Sequence, residues 1–245
     1  MNGGILMKFF DVRAMFESIP QIVQYLPTTI GVTFIAMFIA TMIGLFTALI
    51  RIYRVPVLKR IAGFYVSFIR GTPLLVQLYL TYYGAPKVLD LLKVKYGLFE
   101  NTDVNVIPPV YYAVMAFAVN LGAYLSETIR SAIESVDRGQ FEAANSIGMS
   151  QTQVLLKIVL PQALLVALPN FGNTLIGTIK DTSLVFMISV VDVMGKAQII
   201  GARTLNFFEV YIAVSLIYWA TCIILEKCLN LLEKRLKISE RSCVE

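Results

Sequence analysis

A run without a single charged residue extends from position 18 to position 50, and its apolar part, 26–50, is 25 residues long. A helix of this length crosses a bilayer core with some tilt. The whole chain is 57% hydrophobic and 15% charged, whereas soluble domains carry about 25% charged residues. Such a chain cannot cover a globule of its size with polar surface. The sequence therefore excludes an ordinary cytosolic enzyme and a disordered protein, and it predicts an integral membrane protein.

Apolar stretches recur along the chain and predict an all-α membrane protein with five transmembrane helices in a single domain, 1–245. Pro161 and Pro169 indicate that the fourth span is bent or begins late. The shorter run 182–191 cannot cross and is interpreted as a re-entrant or interfacial segment. The predicted spans are about 26–50, 61–84, 106–127, 160–180 and 208–230.

The basic residues predict the orientation. The short connection 51–60 contains Arg51, Arg54, Lys59 and Arg60 and no acid, so it is expected on the cytoplasmic side. Alternation then places the N-terminus outside and the C-terminus in the cytoplasm, with 12 Lys and Arg residues inside and 8 outside. The net charge of +5 is thus attributed to cytoplasmic loops, and no nucleic-acid partner is expected.

The chain has no histidine and only three cysteines. This composition removes the commonest metal ligand and histidine acid–base catalysis. The cysteine spacing fits neither a zinc motif nor a disulfide framework. We expect no metal and no cofactor.

A polar segment of helical character separates the third and fourth spans. Within the region 137–160, Gly148 is expected to end a first short helix, and Ser150 suits the N-cap of a second one. Pro161 is expected to stop that second helix. The pair either caps the bundle or forms a cytoplasmic knob for another protein, to which Glu142 offers a carboxylate and Ala143 and Ala144 a close approach.

The same residues form a recognisable pattern. Glu142-Ala143-Ala144, three residues, Gly148, nine residues and 158–161 (Ile-Val-Leu-Pro) resemble the EAA motif of bacterial ABC importer permeases. Four further segments resemble the polar amino acid permeases of the histidine and glutamine type, and the resemblance covers about 26–236. These segments are 68–77, 126–130, 139–142 and 180–184.

The resemblance implies a type I ABC importer permease fold in a bacterial plasma membrane, with a coupling helix pair that sits in a groove of an ATPase subunit. It implies two ATPase subunits, an extracytoplasmic solute-binding protein docking on 84–106 and 180–209, and a second permease chain, identical or paralogous. No phosphate-binding loop occurs in the chain, so the chain is not expected to be an enzyme. The implied ATPase-coupling residues are Glu142, Ala143, Ala144, Ser146, Gly148, Leu160 and Pro161.

Polar residues inside the fourth span suggest a substrate pathway, because intramembrane polar groups are costly unless they line a path or meet a protein partner. They recur at helical spacing along one stripe. Asp181 is hypothesised to receive the substrate ammonium group, and a polar packing face between helices is the alternative. The other pathway candidates are Asn173, Thr174 and Ser183, with Asn120 and Tyr124 on the third span.

The sequence Arg70-Gly71-Thr72-Pro73 interrupts the second span. Pro73 must disturb the helix near Ile69, and Arg70 could pair with Glu127 or act in a gate or hinge. The near absence of charge along the stripe favours a zwitterionic substrate such as cystine or glutamine. The alternatives are a permease for methionine, an opine or a dipeptide, and an ion-driven secondary transporter.

Overall fold

A computed structural model describes residues 10–98 and 106–244, with side chains up to residue 235. All the regular elements in these ranges are helical. They are α1 (Val12–Val23), α2 (Leu26–Ile52), α3 (Leu58–Gly71), α4 (Leu74–Tyr96), α5 (Pro109–Glu134), α6 (Arg138–Ser146), α7 (Gln151–Val154), a π-helical turn (Leu155–Val159), α8 (Leu160–Asp181), a 3₁₀ segment (Thr182–Ile188), α9 (Val193–Thr204) and α10 (Phe207–Val244).

Four continuous helical stretches of the described chain are long and apolar enough to cross a membrane. A fifth crossing results if the bent pair α3 and α4 counts as one span, but the two helices meet at 111°. The predicted second span, 61–84, thus consists of parts of two helices that turn sharply at the interruption expected around Pro73. The four stretches are Leu26–Ile52, Pro109–Glu134, Gln151–Ile188 and Phe207–Arg235.

The bend between α3 and α4 follows from Thr72 and Pro73. A residue before proline is pushed out of the helical region, and Thr72 has φ −119° and ψ 144°. Pro73 lacks an N–H, but its carbonyl accepts a hydrogen bond from the Gln77 amide at 3.2 Å and so begins α4. The sequence indicated where the helix is disturbed and did not indicate how sharply it turns.

The core of the bundle is the close packing of α2 against α5. A Cβ atom placed on Gly44 would lie 3.0 Å from Cβ of Leu125, and one on Gly122 would lie 2.8 Å from Cγ2 of Ile43. Small residues allow membrane helices to approach at this distance. In α5, 61% of the most apolar segment is buried inside the protein, whereas in Gln151–Ile188 only 22% of the corresponding segment is buried. Of the four stretches, the one bearing the predicted polar stripe is thus the least enclosed by its own chain.

Pro161 does not stop a helix, which corrects the expectation that the second coupling helix ends there. The turn Leu155–Val159 is π-helical, and the Leu160 amide donates to the Leu155 carbonyl, five residues back. This wider turn accommodates the ring and the missing N–H of proline. The coupling region is therefore continuous with the fourth span, so a force on α7 acts on α8 directly.

Two helices of the described chain were not predicted. α1 begins at the N-cap Asp11, whose carboxylate accepts from the amides of Arg13 and Ala14. α9 lies in the region expected to be the loop 180–209, and the run 182–191 is a 3₁₀ segment and a turn that leads into it. Both helices pack against α10 around a core that includes Ile22, Val193 and Val210. Part of the other predicted docking loop, 99–105, lies outside the described residues, and α4 occupies it as far as Tyr96.

Candidate functional site

The coupling turn has a defined backbone geometry. Gly148 follows α6 with φ +81°, its amide donates to the Asn145 carbonyl at 3.0 Å, and the Met149 amide donates to the Ala144 carbonyl at 3.1 Å. These two bonds form a Schellman motif, whose left-handed position favours glycine. The prediction that Gly148 ends the first helix is confirmed.

The next residues start the second helix as predicted. Ser150 Oγ accepts from the Gln153 amide at 3.3 Å, and Gln153 Oε1 accepts from the Ser150 amide at 2.9 Å. This reciprocal capping box fixes the direction in which the chain leaves the turn. The backbone of the knob formed by α6 and α7 is therefore fixed on both sides of Gly148, by the Schellman motif at the end of α6 and by the capping box at the start of α7.

The residues of the EAA pattern divide between the surface and the interior. Glu142 and Ala143 are exposed, whereas Ala144 is 2% exposed and packs in a cluster with Val154 and Val159. The expectation that Ala144 offers an approach surface to another protein is therefore wrong in this structure, because its methyl group anchors the knob to the bundle. Ile147 is 79% exposed at the tip and was not among the predicted coupling residues.

Three other predicted coupling residues have a structural place. Ser146 Oγ donates to the Glu142 carbonyl at 2.8 Å, within its own helix. Leu160 is half-buried and Pro161 is exposed at the start of α8. Leu160 and Pro161 lie beyond the π-helical turn, whereas Ser146 directly precedes the exposed Ile147.

The predicted polar stripe on α8 is exposed. Asn170, Asn173 and Asp181 are exposed and Thr174 is half-buried. Thr174 Oγ1 donates to the Asn170 carbonyl at 2.8 Å. Asn173 and Asp181 are eight positions apart, which is about 12 Å along a helix. The stripe therefore extends along the helix rather than surrounding one point, and Ser183 continues it, half-buried, in the 3₁₀ segment.

A small cavity of about 160 Å³ adjoins this stripe between α8 and α10. Asn173 lines it from α8, and Glu226, Asn230 and Glu233 line it from α10. The spacing of these three residues, four and three positions, places them on one face of α10. The sequence analysis did not single out this face of α10, although its predicted last span, 208–230, includes Glu226 and Asn230.

The break between α3 and α4 is fixed by a buried chain of amides. Asn120, 7% exposed, donates from Nδ2 to Gln77 Oε1 at 3.0 Å. Gln77 Nε2 donates to the carbonyl of Ile69 at 2.9 Å and to that of Thr72 at 3.1 Å. Asn120 therefore braces the bend from α5 here, which is a different use from the pathway role predicted for it.

Glu127 lies among three arginine side chains at one end of the bundle. It pairs with Arg51 of α2 and with Arg130 at 2.8 Å, and Arg70 Nη1 lies 3.9 Å from its Oε1. The guanidinium of Arg70 also lies 5.4 Å from the ring centre of the exposed Tyr124. The anticipated Arg70–Glu127 contact is present, but Arg51 and Arg130 are the closer partners.

At the other end of the bundle, Asp192 is a buried clamp that the sequence analysis did not single out. Its carboxylate, 0% exposed, accepts from the Gly195 amide at 2.8 Å, Tyr218 OH at 3.3 Å and Thr29 Oγ1 at 3.4 Å. Burial raises the pKa of Asp192, and these hydrogen bonds act in the opposite direction. The side chain ties α2, α9 and α10 together. The signal for it was a lone acid ahead of a helix-like run, which is a usual N-cap pattern.

Comparison with known proteins decides the family. A family model described as "binding-protein-dependent transport system inner membrane component" matches residues 40–238. The chain belongs to this family. It is 39% identical over 237 residues to the L-cystine transport system permease protein TcyL of Bacillus subtilis, covering 97% of this chain and 96% of that one. It is also 39% identical over 218 residues to the probable amino-acid ABC transporter permease protein PatM of Vibrio harveyi, covering 89% of this chain and 92% of that one.

A solved structure agrees with these relatives. The crystal structure of an amino acid ABC transporter with histidines matches 92% of this chain and 99% of that chain, at a TM-score of 0.78 and 35% identity. The type I importer permease fold is confirmed, and the chain is the permease of an amino-acid ABC importer rather than an enzyme. Such a permease works with an ATPase, a solute-binding protein and a second permease in a bacterial inner membrane.

Proposed function

We propose that this permease imports a polar, zwitterionic amino acid, with cystine as the first candidate, along the exposed face of α8. The observation that carries the proposal is the contrast within Gln151–Ile188: a membrane-length apolar stretch, mostly unburied by its own chain, presents Asn170, Asn173 and Asp181 on its exposed side. Polar side chains are not stable against lipid. A water-filled path shared with a second permease gives them a suitable environment.

The substrate chemistry fits this face. A free amino acid presents an ammonium and a carboxylate group, so it needs one anionic acceptor and several neutral donors. Asp181 supplies the acceptor, and the amide of Asn173 and the hydroxyl of Ser183 supply donors further along the path. The similarity to an L-cystine permease over almost the whole chain supports cystine, which carries two such ammonium and carboxylate pairs.

The proposed topology places the loop after α2, the knob and the C-terminus in the cytoplasm, and the N-terminus, α1 and α9 outside. The basic, acid-free segment 51–60 supports it. Two ATPase subunits would then receive the knobs of two permease chains, and the solute-binding protein would dock at the end formed by α1 and α9. Because α7 continues through the π-helical turn into α8, closure of the ATPase dimer can move the pathway helix without an intervening loop.

The test is uptake of labelled amino acids into proteoliposomes that contain the complete transporter. We expect Asp181→Asn to lower solute-stimulated uptake about ten-fold or more, because the substrate ammonium loses its charged acceptor. Glu134→Gln removes one acid from an exposed position at the C-terminal end of α5, away from the proposed path and docking segments, and should leave uptake unchanged. Normal uptake by Asp181→Asn, with normal assembly, would refute the role of α8.

The substrate class is tested separately by the binding affinity of the cognate solute-binding protein. We expect cystine or glutamine to bind most tightly in a panel that includes methionine, an opine and a dipeptide. Preference for one of the last three would change the substrate but leave the pathway proposal intact. Uptake driven by an ion gradient without ATP would contradict coupling through the knob.

A further inference from the structure

We propose that the cavity between α3 and α5 holds the headgroup of an anionic phospholipid, with the phosphate between Arg70 and Ser67 and the acyl chains along Phe64 and Phe68. The proposal rests on the cytoplasmic placement of the loop after α2 given above. It concerns a different part of the molecule from the polar face of α8, because α3 packs on α5 and α2, and of the predicted pathway residues Tyr124 alone lines the cavity.

The cavity has a volume of about 480 Å³ and is open on one side. Gly63, Ser67, Arg70 and Gly71 line it from α3, and Tyr124 and Glu127 line it from α5. A Cβ atom built on Gly63 or Gly71 would have no neighbour within 4 Å. The two glycines therefore leave free space beside the charged groups, on the scale of a lipid headgroup.

The charge of the cavity is positive and is only partly neutralised. Three arginines approach the single carboxylate of Glu127: Arg51, Arg130 and, at the longest distance, Arg70. Arg130 also bonds to Glu134 at 2.6 Å, so the two acids are shared by three cations. The side chain of Arg70 is 46% exposed and faces the cavity. A guanidinium with an open side is a strong donor for a phosphate oxygen.

α3 has the surface pattern of a helix that lies in a membrane interface. Its buried side is formed by Ala62, Val66 and Ile69. The rest of the surface of α3 is exposed and has two sides. A polar side lines the cavity, and on an apolar side Phe64 is 72% and Phe68 47% exposed. The two rings stack with their centres 5.9 Å apart. Interfacial helices combine basic and apolar exposed faces in this manner.

The angle between α3 and α4 supports the same placement. If α4 follows the membrane normal, α3 lies within about 20° of the membrane plane, because the two axes meet at 111°. Arg51 lies 25 positions after the start of α2, about 38 Å along the helix, so it reaches beyond a hydrocarbon core of about 30 Å. The arginines therefore lie at headgroup depth. A soluble anion could bind to Arg70 but would make no apolar contact with the adjacent Phe64 and Phe68, so the geometry favours a lipid.

Native mass spectrometry of the full chain, purified with its transporter partners, tests the proposal. Phosphatidylglycerol and phosphatidylcholine with identical acyl chains are the probes. We expect phosphatidylglycerol to bind preferentially and Arg70→Gln to weaken its binding about ten-fold. Ser67→Leu fills the cavity without changing charge and should weaken binding comparably, so the test stands even if Arg70→Gln fails to fold. Arg54→Gln removes one charge from the same basic region outside the cavity lining and should change binding about two-fold at most.

Equal losses in Arg54→Gln and Arg70→Gln would overturn the site in favour of diffuse attraction. Equal binding of the two lipids would overturn the role of the negative charge. If sn-glycerol 3-phosphate displaces the bound phosphatidylglycerol at an equal concentration, the ligand is a soluble phosphate and the lipid assignment is overturned. The readout needs no transport; labelling of Arg54→Cys from the outside of intact cells would refute the proposed topology and leave the binding result standing.

Discussion

Gly148 provides the sharpest test of the coupling knob. Its φ of +81° lies in the left-handed region, which costs a non-glycine L-residue about 1–2 kcal/mol. A Cβ atom at this position would have no neighbour within 4 Å, so Gly148→Ala introduces no clash. The whole cost is conformational. It lowers the population of the Schellman turn relative to alternative paths by about 5- to 30-fold.

We expect Gly148→Ala to reduce ATP-dependent uptake in proteoliposomes and co-purification of the ATPase subunit, because the knob no longer holds one shape. Gly148→Asn should retain more of both, since asparagine tolerates the left-handed region better than alanine. Gly31→Ala is the matched control: it also has free space for a Cβ but lies inside α2, where alanine favours the helix. It should leave coupling intact.

The uptake ratios of the three variants decide the matter. Wild-type uptake and co-purification in Gly148→Ala would show that the turn has no defined geometry during transport. A loss in Gly148→Asn as large as that in Gly148→Ala would attribute the effect to side-chain size at the ATPase surface and refute the conformational reasoning.

Two further predictions concern buried polar contacts. Asp192→Ala leaves two buried donors and the half-buried Tyr218 hydroxyl without their acceptor, so it should destabilise the chain by about 3 kcal/mol and lower the apparent melting temperature by about 6–12 °C. The exposed Asp90→Ala should shift this temperature by less than about 2 °C. Equal shifts of the two variants in a thermal unfolding scan would contradict the clamp. Gln77→Leu removes the side-chain amide that joins Asn120 to the α3–α4 bend. We expect it to increase the labelling of a cysteine placed at position 72 (Thr72→Cys). Unchanged labelling would show that proline alone holds the bend.

Much of the fold could be predicted because the physical signals are local. The uncharged run in α2, the glycine of the coupling turn and the capping residue Ser150 each act within a few residues of themselves. The resemblance to the EAA pattern also predicted the helix–turn–helix at 138–154 correctly, since its spacing reflects one glycine-broken helix pair, and the contact of this pair with an ATPase stays a prediction. Features of the fold that depend on such local chemistry were therefore predicted correctly.

The expectations that failed depended on contacts that a linear pattern does not show, both within one helix and between distant segments. Ala144 looks like a surface residue in the sequence, and only packing against Val154 and Val159 makes it an anchor. Pro161 normally ends a helix, but the π-helical turn before it carries the helix past. The packing role of Asn120 could not be predicted, because nothing in the sequence pairs it with Gln77, 43 positions away.

Hydropathy, helix spacing and turn chemistry are properties of short stretches, so the amino-acid sequence was sufficient to predict a membrane protein, its apolar segments and the glycine turn after α6. The 111° angle between α3 and α4, the exposed polar side of α8 and the contacts by which Asp192 and Glu127 each join several helices became visible only in the three-dimensional structure. These features depend on which helices meet and at what angle. That choice is made by close packing between surfaces far apart in sequence, such as Gly44 against Leu125, and a linear pattern carries no direct record of it.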